Sequence, residues 1–139
     1  MNREILFKAK RKDNGEWVEG SLVSTECNSG FIFRSKTKAY APKGTNIFCS
    51  TECYEIDSVT LCQYTELNDK NGRKIWENDI VNTFEEPSKE FLRNVIKFED
   101  GCFKVFAEHY LSMYLDNYIK SDFEVIGNIF DNPELLEVE

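Results

Sequence analysis

The chain has one histidine, His109, and three prolines, and it lacks any apolar run long enough to cross a bilayer. Each scarcity removes a class of function. A single imidazole cannot build a histidine-rich metal cage, and the five cysteines, Cys27, Cys49, Cys53, Cys62 and Cys102, do not make up for it. Cys49 and Cys53 stand at zinc-ligand spacing, but a structural site needs four ligands and no second pair follows. An odd count at irregular spacing forms no disulfide framework either, so reduced thiols and no bound metal are expected. Met1 to Lys12 contains no secretory apolar segment, so the expected location is the cytoplasm. Bases are scarce as well: 17 Lys and Arg against 25 Asp and Glu leave a net charge of -8. A broad phosphate-binding surface needs clustered cations, which makes nucleic acid a disfavoured partner. No P-loop, G-x-G-x-x-G, H-E-x-x-H or G-x-S-x-G pattern occurs.

Aromatic residues are plentiful at 14%, and so are short alternating runs. That much ring surface belongs to a packed domain. Ile5, Phe7 and Ala9 alternate, and Asp13-Asn14-Gly15 follows, which predicts a hairpin through a type I′ turn returning along Trp17 to Val23. Phe31 to Phe33 makes a third strand, and the basic segment 36–45, with Pro42 and Gly44, a loop. Val59 to Tyr64 alternates as a further strand. Asp69-Lys70-Asn71-Gly72 is a second turn before Ile75 and Trp76, and Glu77-Asn78-Asp79 breaks the pattern ahead of Ile80 and Val81. Segment 85–94 is expected to connect to a hairpin, Val95 to Phe106, turning at Asp100-Gly101. Apolar residues at three- and four-residue spacing predict one helix over 107–119. A last strand, Phe123 to Phe130, precedes a helical turn at 134–137.

Gln63 to Val81 carries the most specific pattern. With Gln63, Tyr64, Thr65, Leu67, Asp69, Asn71, Gly72, Ile75, Glu77, Asp79, Ile80 and Val81 it resembles the signature of the YopX family of phage- and prophage-encoded proteins. Cys62, Glu66 and Asn78 stand where that family commonly has glycine, and Trp76 replaces a tyrosine. The opening Arg3-Glu4-Ile5, with Phe7 and Ala9, agrees too, as does the closing run Glu124 to Leu136. The resemblance implies a mainly β fold with a small SH3-like barrel, and it brings no catalytic residues. The expected organisation is an N-terminal β-hairpin region, 1–78, followed by an SH3-like barrel region, 79–139, with one short helix.

The chemistry-bearing residues favour structural roles. His109 sits between Glu108 and Tyr110 with no evident partner for general-base work. Glu85-Glu86 and Glu99-Asp100 are adjacent carboxylates at turns, where neighbours on a strand point to opposite faces. Asp79 fixes a turn by accepting backbone N–H groups. Lys70 to Lys74 is a solvated hairpin tip, and Cys62 and Cys102 are small buried hydrophobes. No catalytic, cofactor or metal residue is assigned, and no enzyme activity is expected. Trp17, Trp76, Tyr54, Tyr64, Phe84 and Phe103 either fill the core or line a groove for an extended peptide. The expected role is a protein-binding module, with self-association compatible with it. The first rival is a nucleic-acid binder in which Lys8, Lys10, Arg11 and Lys12 meet Arg34, Lys36, Lys38 and Lys43 on one face, and the second is an enzyme of unknown class, which would require a deep pocket containing His109 or paired carboxylates.

Overall fold

The computed structural model describes residues 4–26, 29–35, 51–85, 90–107, 113–114 and 123–136. They separate into a first unit, Glu4–Gln63, and a second beginning at Tyr64, a division upstream of the break in patterning at Glu77 to Asp79. The described residues are dominated by antiparallel strands, as the turn chemistry and alternation predict.

In the first unit, β1 (Phe7–Lys10), β2 (Trp17–Ser24), β3 (Gly30–Ser35) and β4 (Thr51–Ile56) lie in the order β4-β3-β2-β1. Cys62 and Gln63, the start of β5 (Cys62–Asn68), pair with Lys8 and Phe7. Alternation puts Ala9, Val18, Ile32 and Ile56 into one buried cluster, with Phe7, Leu22, Tyr54 and Leu61 packed around it. One end of this sheet curls back on itself. Arg11 bridges Ile56, the Lys12 N–H donates to the Glu55 carbonyl at 3.0 Å, and the Asp57 N–H donates to the Lys10 carbonyl at 2.8 Å.

Two local expectations are corrected here. The β1–β2 hairpin forms, but not through a type I′ turn. Gly15 alone takes a positive φ, +73°, while the Arg11 N–H donates to Glu16 O and the Gly15 N–H to Arg11 O. The Asn14 side-chain oxygen accepts the Glu16 N–H at 2.9 Å, an Asx-type bond that holds a longer loop. The strand expected over Val59 to Tyr64 starts only at Cys62, because Ser58–Thr60 is a 3-10 turn. Asp57 caps that turn through its side chain, the Thr60 hydroxyl donates to Asp57 O, and Val59 is left 80% exposed. Local side-chain bonds outcompete the strand ladder here.

The second unit contains the rest of β5, then β6 (Lys74–Trp76), β7 (Asp79–Glu85), β8 (Glu90–Glu99), β9 (Cys102–Ala107), β10 (Met113–Tyr114) and β11 (Glu124–Asn128). Five of these strands form a sheet in the order β10-β9-β8-β7-β11. Ile75, Val81, Ile96, Val105, Phe123 and Val125 make its core, with Leu67 and Phe103 against them. The β8–β9 hairpin turns as predicted: Asp100 and Gly101 both take positive φ, 54° and 81°, the type I′ geometry. Strand pairing between β7 and β8 continues to Glu85 and Glu90, so the connection is shorter than the expected 85–94.

The helix expected over 107–119 is contradicted where it can be examined. Ala107 closes β9, and Met113 and Tyr114 pair with Val105 and Lys104 of that strand; the other residues of the segment lie outside the described ones. A short apolar run fits either period, and here an available strand edge decides it. The expected SH3-like barrel is also corrected: among the described residues the five-stranded sheet is open, ending in β10 on one side and β11 on the other. The final helical turn is present as a 3-10 turn, Pro133–Leu136. The loop expected over 36–45 lies outside the described residues.

Candidate functional site

The Gln63 to Val81 stretch builds a dense knot of polar bonds in the second unit. Tyr64 pairs with Trp76 and Asn68 with Lys74, so Thr65, Glu66 and Leu67 bulge opposite Ile75 alone. The buried Thr65 hydroxyl stitches this bulge, donating to Ile75 O at 2.7 Å and accepting the Leu67 N–H at 3.2 Å. Glu66 in the bulge takes φ 72°, and Asn78 after β6 takes φ 70°. These are two of the positions where the resembled family carries glycine, and the backbone supplies the reason: both lie in the left-handed region. Tyr64 and Trp76 are buried with ring centroids 5.6 Å apart.

Two buried carboxylates anchor the knot. Asp79, 2% exposed, accepts the Trp76 N–H at 2.8 Å, the turn-fixing role expected of it. Asp69, 6% exposed, does more than the sequence disclosed. Its Oδ1 accepts the N–H groups of Asn71 and Arg73, each at 2.9 Å, which is the ordinary work of an aspartate opening a turn. Its Oδ2 accepts the Val125 N–H at 2.9 Å, a bond across 56 residues that no local pattern announces. Burial pushes the Asp69 pKa up, but the N–H groups of Val125, Arg73 and Asn71, with the Arg73 charge, outweigh it and hold the carboxyl below its usual range. The Lys70 N–H also donates to Phe123 O at 3.0 Å and the Arg73 guanidinium to Val125 O at 3.1 Å. The basic tip is therefore not merely solvated. Two of its donors are engaged by the β11 segment.

A second turn closes the same unit. A Cβ on Gly127 would lie 2.5 Å from Asn132 Oδ1, so any side chain there would push aside Asn132 and the bond its oxygen accepts from the Asn128 N–H. The Asn128 side-chain oxygen accepts the N–H groups of Phe130 and Asp131, each at 2.9 Å. The closing run of the sequence thus has an architectural reason for its residues.

The remaining candidates are dispersed. His109, Glu86, Cys27 and Cys49 lie outside the described residues. Asp100 sits at the β8–β9 turn in an exposed ion pair with Lys104 at 3.1 Å. Cys62 is buried, as expected, Cys102 is half-buried at the start of β9, and Cys53 is exposed. Among the described residues no three His, Cys, Asp or Glu side chains gather in a way that could hold a metal ion. Trp17 and Tyr54 belong to the first unit, whereas Tyr64, Trp76, Phe84 and Phe103 belong to the second.

Of the two basic clusters, Arg11 and Arg34 converge within the first unit, while Lys36, Lys38 and Lys43 lie outside the described residues. The Arg11 and Arg34 guanidiniums lie 4.1 and 5.4 Å from the centroid of the Tyr54 ring. Each is matched by an acid: Arg11 to Asp13 at 2.6 Å and Arg34 to Glu52 at 2.9 Å, while Lys12 reaches Glu55 at 3.1 Å. The Tyr54 hydroxyl donates to Glu52 as well. Lys8 and Lys10 stand over the Trp17 ring, 4.7 and 5.5 Å from its centroid, where a stacked base would have to go. On the face of the sheet away from the core, Val23 pairs in register with Phe31, and Phe33 follows two residues on. Val23 is 47% exposed, and both phenylalanines are half-buried.

Comparison with known proteins gives a family and a fold. The YopX protein family matches residues 6–137. The crystal structure of protein EF1440 from Enterococcus faecalis is similar at TM-score 0.57 and 25% identity, covering 96% of this chain and 99% of that one. The crystal structure of protein yopX from Bacillus subtilis shares the fold at TM-score 0.59 and 20% identity, covering 96% and 97%. A search of the curated proteins finds no match. With the family matched over nearly the whole sequence, and its glycine positions explained by the backbone at Glu66 and Asn78, the chain belongs to the YopX family.

Proposed function

We propose that this protein is a non-enzymatic accessory module of phage or prophage origin that works in the host cytoplasm by binding another protein. The observation that carries the reading is the outward face of the first unit, where Val23, Phe31 and Phe33 form a contiguous apolar patch. Aromatic side chains in such a patch are the usual anchors of protein interfaces. The paired state of Arg11, Arg34 and Lys12, together with the charge of -8, weighs against nucleic acid as the partner.

The test is affinity purification from the host, comparing wild type with a Val23→Lys/Phe31→Lys variant shown to melt at the same temperature. A stoichiometric protein partner captured by wild type and lost from the variant is the expected result. A partner retained by the variant would remove the patch from the argument. Capture that disappears on nuclease treatment would favour the nucleic-acid reading instead.

A further inference from the structure

A terminal strand offers its outer N–H and C=O groups to other chains, and folded proteins blunt such edges by shortness, charge or cover. Among the described residues the sheets end in β4, β6, β10 and β11. β6 has three residues and β10 two, while β11 has the Asp69 carboxylate and the Arg73 guanidinium on Val125. β4 differs. It is six residues long, and its register with β3 runs unbroken from Thr51 to Ile56. Only one end of it is taken. The Lys12 N–H donates to Glu55 O, and the bonds from Arg11 N–H to Glu16 O and from Gly15 N–H to Arg11 O turn the chain back to β2 just there. In an antiparallel strand the N–H and C=O of one residue point to the same edge, and residues two apart share it. The bond to Glu55 O thus marks the edge away from β3 as the one to which the Cys53 N–H and C=O point.

The same edge displays what it recognises. The segment it already holds, Arg11-Lys12, is basic: the Lys12 ammonium reaches Glu55 at 3.1 Å, and the Arg11 guanidinium lies 4.1 Å from the centroid of the Tyr54 ring. β4 itself carries the carboxylates of Glu52 and Glu55 and no cation. On the outward face Cys53 is exposed and pairs in register with Phe33 of the apolar patch.

We propose that β4 takes an extended segment of another protein as an added strand, apolar where it lies opposite Cys53 and basic at the alternate positions beside Tyr54 and Glu52. Its backbone continues the ladder that Lys12 begins, and its apolar side chains fall on the outward face, where they extend the patch from Phe33. This inference rests on the reading of the protein as a protein-binding module and gives that module its mode of binding and the chemistry of its partner.

The probe is a synthetic peptide of about ten residues in which valine alternates with lysine. Added to the full wild-type chain, it should slow hydrogen exchange at the Cys53 amide by about tenfold or more, because that N–H passes from solvent into a strand ladder. A peptide alternating valine with glutamate should bind about tenfold more weakly or worse. Methylating the backbone nitrogens of the valines, whose N–H groups face β4, should abolish the slowing. Methylating those of the lysines, which face away, should leave it. An unchanged Cys53 amide at the highest soluble peptide concentration overturns the proposal. So does equal slowing by the valine-methylated peptide, or equal binding of the glutamate peptide. Slowing that rises with protein concentration alone assigns the edge to a second copy and overturns it too. The apolar patch is judged separately by the capture experiment. A partner lost from Val23→Lys/Phe31→Lys, with no peptide pairing at Cys53, keeps the patch and removes the edge. Pairing at Cys53 with a partner retained by that variant upholds the edge and removes the patch.

Discussion

The two units end their sheets by different means. In the first, β1 and β4 meet at one end through backbone bonds from Lys12 to Glu55 and from Asp57 to Lys10. In the second, β11 is covered by a turn whose central element is the Asp69 carboxylate. Backbone bonds do not titrate, and the ion pairs beside the first closure are exposed and contribute little. A buried carboxylate does titrate. The comparison therefore predicts one unit nearly indifferent to acidification below about pH 4 and another sensitive to it, and hydrogen exchange resolves the two because their amides report separately.

The largest expected effect tests whether the signature is architectural. Trp76 is 5% exposed, lies against Tyr64, and has its N–H held by Asp79. Trp76→Ala should cost about 3–5 kcal/mol, read in a denaturant melt and located by exchange in the second unit. Wild-type stability in this variant would mean that the ring serves a partner rather than the core.

The next effect tests the acid contrast directly. The folded state lowers the Asp69 pKa, so its stabilisation is fully present above the unfolded value, about 3.9, and disappears as pH falls through the depressed native value. Asp69→Asn should cost about 1–3 kcal/mol at neutral pH and should flatten the loss of stability below about pH 4. The first unit's exchange should be unchanged. If wild type and Asp69→Asn lose stability in parallel on acidification, the carboxylate is not the source of the acid response.

The same contrast explains what the sequence disclosed. The turn at Asp100-Gly101 and the turn role of Asp79 are local, and their chemistry is visible in adjacent residues. The bond from Asp69 to Val125 joins distant segments, so the sequence offered Asp69 only as a turn aspartate. Val59 to Tyr64 misled for the opposite reason. Its alternation is genuine, but the Asp57 and Thr60 side chains favour a 3-10 turn at short range. The barrel expectation came from the family resemblance. The open sheet shows that the resemblance identified the family more securely than the closure of its strands.

A smaller effect tests the closure of the first unit. The Thr60 hydroxyl oxygen accepts the Lys10 N–H at 2.8 Å beside the curled end of the sheet. Thr60→Val keeps the shape and removes the acceptor, so it should cost about 1–2 kcal/mol. The change should accelerate exchange at Lys10 and leave the second unit alone. Acceleration confined to the second unit would contradict the assignment of this bond to the closure.

The smallest effect is a gain. Glu66 is exposed and takes φ 72°, in the left-handed region. A residue bearing a β-carbon there is disfavoured by roughly 1–2 kcal/mol. Glycine removes that strain but gives the unfolded chain more freedom, an opposing term of roughly 0.5–1 kcal/mol. Glu66→Gly should therefore stabilise the second unit by about 0.5–1 kcal/mol. Asn78 has nearly the same φ, yet asparagine tolerates the left-handed region, so Asn78→Gly should change stability by less. Measuring both in one series separates backbone strain from other causes. Equal gains at the two sites would show that the left-handed tolerance of asparagine has no effect here. A loss at Glu66 would show that its side chain makes a stabilising contact that outweighs the strain.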